Sequence, residues 1–148
     1  RARLDEELAA EPTGHSRVEH TRAVASLPTE EAKAFAWQRF TGEVSVPNYE
    51  LTAAGLGLWR SGPDELLRSY VARYAADVEV AAQAHSGWVQ AEAVTAFFPL
   101  RMVDAETLEV ARGLAAREDL PAPVRRRLVD SADDLARLLD VRSLVERG

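Results

Sequence analysis

The sequence predicts an all-α fold: about eight antiparallel helices stacked in pairs as an α-solenoid, a superhelix of helical hairpins. Three observations carry that prediction. Alanine and leucine dominate, and apolar residues recur at spacings of three and four. Strand signals are nearly absent, since the one short alternating piece, Glu43-Val44-Ser45-Val46, runs straight into Pro47. Glycine and proline fall between the periodic segments, which leaves short turns and no long linker.

The elements follow in order. Arg1 to Leu8 is a charged, helix-forming opening, and Pro12-Thr13-Gly14 separates it from a helix over about His15 to Ala25. Leu27-Pro28-Thr29 starts the next helix, with Thr29 the candidate N-cap and Glu30 and Glu31 placed well for the helix dipole. It ends near Thr41-Gly42, where Gly42 suits a C-terminal cap. Ser45 to Asn48 opens a helix through about Trp59, and Ser61-Gly62-Pro63-Asp64 opens the longest, to about Ala84. Ser86-Gly87 breaks that run, and a further helix extends from Trp88 to about Phe98, before Pro99. Asp104 caps a helix over Ala105 to Ala116, and Leu120-Pro121-Ala122-Pro123 introduces the last, ending near Leu139 or somewhat beyond.

The faces are amphipathic. Leu67, Tyr70, Val71, Tyr74 and Val78 share one side of the long helix, and Val124, Leu128, Ala132, Leu135 and Leu139 one side of the last. Such a string folds economically either as a closed bundle or as stacked pairs. No clean repeat separates the two, but more than four helices favours stacked pairs. With 148 residues the chain is long enough for one domain that buries about two-thirds of its unfolded surface. Met102 is the only methionine, so a chain opening at Arg1 reads as a domain cut from a larger protein.

Composition excludes several functions. A net charge of −6 argues against a nucleic-acid partner, and Arg125-Arg126-Arg127, the only basic run, fans out by about 100° per residue on a helix. Lys33 is the only lysine among 18 basic residues. The absence of cysteine rules out disulfides and thiolate metal sites and fits a cytoplasmic location, and no apolar run nears the ~20 residues that span a bilayer, so no membrane partner is expected. Chemistry is equally sparse. His15 and His20 frame a piece that resembles an inverted zincin motif with one residue too many. Five helical positions turn the second imidazole by about 500°, about 140° from the first, so both are expected to be exposed. His85, at a helix end, reads as structural or surface. No nucleophile elbow or phosphate loop occurs. Gly55-Leu56-Gly57, with Ala53 and Ala54, reads as a small-residue surface for close helix approach. Glu30-Glu31, Asp64-Glu65 and Asp133-Asp134 read as helix starts or polar faces. Trp37, Trp59, Trp88, Phe97 and Phe98 read as core, although adjacent Phe97 and Phe98 diverge enough that one is expected to reach a second contact layer. Catalytic residues: none; metal ligands: none; substrate-binding residues are not assigned.

The run Pro28-Thr29-x-x-Ala32-Lys33-x-x-Ala36-Trp37 resembles the C-terminal helical domain of bacterial aminopeptidase N, of the M1 zinc metallopeptidases. The likeness extends along the chain. Leu4-Asp5-Glu6-Glu7-Leu8, then Glu11-Pro12-Thr13, is similar to the family's lead-in. Pro47-Asn48-Tyr49-Glu50-Leu51 and Gly57-Leu58-Trp59 resemble its next helix, and Glu65-Leu66-Leu67-x-x-Tyr70-Val71-x-x-Tyr74 its long one. Leu120-Pro121 with Arg125-Arg126, and Asp133-Asp134-Leu135-Ala136-Arg137, resemble its last. His85 and Gly87-Trp88 depart from the pattern, which puts contacts made by that helix start in doubt.

The resemblance implies a HEAT-like bowl that roofs the substrate chamber of a zinc aminopeptidase and shapes access to it. It implies as partners the catalytic domain of the same polypeptide and the peptides that domain trims. Zinc would belong to that other domain, whose His-Glu-x-x-His and Gly-x-Met-Glu-Asn motifs do not occur here, and no cofactor is expected in this one. Two other readings stand beside it: a free-standing HEAT-like scaffold that holds a peptide or protein, and a small all-α enzyme using a carboxylate pair.

Overall fold

The computed structural model describes residues 1–148 and contains eight α-helices and no strand. They are α1 (Ala2–Ala10), α2 (Gly14–Ala25), α3 (Glu30–Phe40), α4 (Asn48–Leu58), α5 (Asp64–Ala84), α6 (Trp88–Ala96), α7 (Ala105–Ala115) and α8 (Ala122–Arg147). Local chemistry sets most of these starts. Thr29 Oγ1 accepts from the Ala32 amide at 3.2 Å, and Asp104 Oδ1 from the Thr107 amide at 2.8 Å. Thr13 and Ser16 form a reciprocal capping box at α2. Helices α4, α5 and α8 instead follow Pro47, Pro63 and Pro121 with no side-chain cap. Gly42, at φ +81°, turns the chain out of α3 as expected.

Consecutive helices pair: α1 with α2, α3 with α4, α5 with α6, α7 with α8. The pairs then stack. Helices α2, α4, α6 and α8 form one continuous layer, each packed on the next, and α5 packs on α7 in the other. This is an all-α stack of helical hairpins, the solenoid-like arrangement that the number of helices favours.

One core runs through the stack, from Ala25 to Leu135. At its centre the Phe40 ring stacks on Phe97 at 4.5 Å and on Tyr74 at 5.7 Å, while Trp37 meets Tyr70 edge-on at 5.2 Å. The polar tips of three core aromatics are satisfied by other segments of the chain. Tyr74 Oη donates to the Val94 carbonyl at 2.6 Å, Trp59 Nε1 to the Phe97 carbonyl at 3.0 Å, and Trp37 Nε1 to Asp77 at 2.8 Å. Lys33 is 0% exposed, and its Nζ donates to the Ala25 carbonyl at the end of α2, at 2.8 Å.

Two boundary expectations need correction. Helix α6 stops at Ala96, so Phe97 and Phe98 lie in the turn that follows rather than on a helix. Freed from the helical 100° step, both rings turn inward and are buried, and neither reaches a second layer. At the other end α8 continues to Arg147, well past Leu139. No glycine or proline follows Pro123 within it, and Arg142 ties it down by donating to the Val103 carbonyl at 2.7 Å.

Candidate functional site

The small residues of α4 decide where the even-numbered layer closes. A Cβ on Gly57 would lie 2.6 Å from the Arg22 carbonyl oxygen, and one on Gly55 would lie 2.7 Å from the Ala96 carbonyl group. Close approach therefore occurs where the C-terminal ends of α2, α4 and α6 meet, as the small-residue surface predicts. Gly57 sits near the end of α4, Arg22 near the end of α2 and Ala96 at the end of α6, while residues at the starts of all three helices line one groove, so the three run parallel.

Toward the starts of these helices lies an open groove of about 900 Å³. Its walls are His15, Arg17, Val18 and Arg22 from α2, Pro47 to Glu50 with Thr52 and Ala53 from the start of α4, and Trp88 and Glu92 from α6. Two aromatic rings stand in it almost bare, Tyr49 at 74% exposed and Trp88 at 66%. The side chains of His15, Arg17, Asn48, Tyr49 and Glu50 make no hydrogen bond within the protein, so their capacity is free for a ligand or for water. Glu92 is occupied: Arg127 on α8 donates to it at 2.9 Å. Arg22 meets Glu19 at 3.5 Å.

Trp88 corrects its core assignment. It is the first residue of α6, after Gly87 at φ +58°. Its helical neighbours at i+4 and i+7 are Glu92 and Thr95, so it belongs to the polar stripe, while Ala91 and Val94 face the core. That spacing was legible. Tyr49 likewise shares its stripe with Thr52 and the exposed Leu56.

The remaining candidates are scattered. His15 lines the groove. His20 corrects the expectation of exposure: its side chain is only 11% exposed, and Nε2 meets Asp5 at 2.7 Å, a contact that with Arg1 holds the Asp5 carboxyl below the usual carboxylate range. His85 Nε2 contacts the Phe40 carbonyl at 2.8 Å, tying the end of α5 to α3. No three His, Asp or Glu side chains converge in a way that would hold a metal ion, so the residues present do not fit a zinc site. Arg125, Arg126 and Arg127 diverge, only the last reaching Glu92. Asp64 pairs with Arg68 at 3.0 Å and Asp134 with Arg137, and Glu30 and Glu31 lie in the first turn of α3. No helix is long and apolar enough to cross a membrane. Compared with known proteins, the chain matches no family model and no curated protein.

Proposed function

We propose that this chain is a helical domain of a zinc aminopeptidase of the aminopeptidase N type, and that its even-numbered layer faces the chamber in which peptides are held. The observation that carries the reading is the groove between α2, α4 and α6, where bare aromatic rings and unspent polar groups line a concavity of peptide-binding size. The motifs behind the resemblance support it from the other side. Thr29 caps α3, while Lys33, Trp37, Trp59, Tyr70 and Tyr74 are buried, so the shared residues are those that build such a scaffold. In this reading the domain excludes folded proteins and admits extended chains, and zinc and the hydrolytic step belong to a separate catalytic domain.

The same groove serves a free-standing peptide-binding scaffold, and one measurement separates the two. The coding sequence upstream of Arg1 is expected to hold an open frame with His-Glu-x-x-His, a downstream glutamate and Gly-x-Met-Glu-Asn. A start codon within a few residues of Arg1 refutes the peptidase reading.

A further inference from the structure

Helix α8 changes character along its outer face. Leu135 is its last buried residue, and from Ala136 to Arg147 it runs on for about 18 Å with no side chain buried. Before that point the side turned away from the core is polar, with Arg126, Asp130, Asp133 and Asp134 exposed. Beyond it the same side turns aliphatic: Leu138 is 42% exposed, Val141 57%, Leu144 65% and Val145 73%. These four share an arc of about 120° centred on Val141, roughly opposite Leu128, Leu135 and Leu139. A helix at the edge of a stack that meets only water keeps its outer face polar, as the first turns of α8 do, so the aliphatic strip marks a contact surface.

The strip is complementary to itself. Leu138 and Leu144 lie three residues before and after Val141. A two-fold axis at Val141 therefore sets two α8 ends antiparallel, with Val141 on its own copy and Leu138 on the second copy's Leu144. The flanking charges agree with that register. Asp134 pairs with Arg137 and Arg142 with Glu146, while Asp133 and Arg147 have no ion pair within the chain. Both lie on the same flank of the strip, about 80° and about 120° from Val141, and the axis brings Asp133 within about 3 Å, measured along the helix, of the second copy's Arg147. The symmetry makes that pair twice. The two Asp140 carboxylates approach each other at the rim, and the strip is short against the ~800 Å² per partner of a standard interface, so the association is weak.

We propose that the chain forms a two-fold dimer through antiparallel pairing of its α8 ends over Leu138, Val141, Leu144 and Val145, flanked by reciprocal Asp133–Arg147 pairs. The proposal is independent of the groove and of the parentage.

Sedimentation velocity of the 148-residue chain from about 5 to about 500 µM tests it. The mass is expected to rise from 16.3 kDa toward twice that, with a midpoint near about 50 µM. Val141→Glu, at an exposed position, is expected to weaken the dimer at least about tenfold with unchanged circular dichroism. Asp133→Arg is expected to weaken it about threefold, and adding Arg147→Asp to restore it. The chain has no cysteine, so Val141→Cys is expected to give a disulfide-linked dimer on mild oxidation, while Val129→Cys, exposed on the same helix outside the strip, does not. A mass that stays at 16.3 kDa throughout assigns the strip to a different partner and overturns the proposal. A dimer indifferent to Val141→Glu, a charge swap that restores nothing, or a Val141→Cys variant that does not cross-link overturns it as well.

Discussion

Replacing Lys33 with methionine removes the one ammonium held inside this fold while keeping a side chain of similar length. Nothing acidic answers that ammonium: its sole contact is the Ala25 carbonyl, and no carboxylate lies within ion-pair distance. Burial alone therefore pulls the amine down from 10.5 to about 8. At ~1.4 kcal/mol per pH unit, that displacement means the charged form costs the native state about 3 kcal/mol. The sign follows from linkage. Below pH 8 both native and unfolded chains carry the proton and the fold bears the full cost. Between pH 8 and 10.5 the native chain releases its proton first, so stability rises with pH, by about 2 kcal/mol between pH 7 and 9.5. Tyr74 and Tyr70, whose hydroxyls burial raises above the usual 10, perturb stability above that range, so the comparison stops at 9.5 and uses the difference between the two proteins. Lys33→Met also leaves the Ala25 carbonyl without its donor, a loss of about 1 kcal/mol. The variant is expected to be more stable at pH 7 by about 1–2 kcal/mol, and to lose that advantage by pH 9.5. Urea denaturation followed by circular dichroism at pH 7, 8, 9 and 9.5 measures it. A stability difference that does not change with pH refutes a desolvated, charged Lys33.

Three further outcomes follow from packing. Gly57→Ala drives a methyl to 2.6 Å from the Arg22 carbonyl oxygen, backbone that cannot step aside, and is expected to cost about 1–3 kcal/mol in the same denaturation assay. Asp77→Ala strands the buried Trp37 indole N–H and is expected to cost about 1–2 kcal/mol, whereas Asp77→Asn keeps an acceptor and costs less than about half as much, readable as a difference in thermal midpoint. Asp104→Ala removes the cap of α7 and one of three carboxylates around Arg68, and is expected to cost about 1 kcal/mol, with faster amide exchange at Thr107 as its local signature.

Legibility along this chain tracks the range of the interaction. Thr29, Asp104 and Gly42 act on amides and carbonyls within three or four residues, so the ends they make could be read directly. The small residues of α4 could be read as a contact surface, but not which helix they touch. An aromatic on an apolar helix is core by default, and Trp88 departs from that because it shares its stripe with Glu92 and Thr95, which point outward. The burial of His20 is set by Asp5, on another helix, and that of Phe97 and Phe98 by a helix that ends at Ala96, two residues short of Phe98.

By itself the sequence determined the all-helical class, the order of the helices, most of their ends and the aromatic residues Trp37, Trp59, Tyr70 and Tyr74 that fill the core. These depend on caps, breakers and periodicity, all of which act over a few residues. The tertiary structure alone decided that α2, α4 and α6 lie side by side and parallel, tight at Gly55 and Gly57 and open at Tyr49 and Trp88. Those groups lie on three segments far apart in the chain. Whether an amphipathic face meets a neighbour or water is settled only when the hairpins stack, because either choice satisfies the same local pattern.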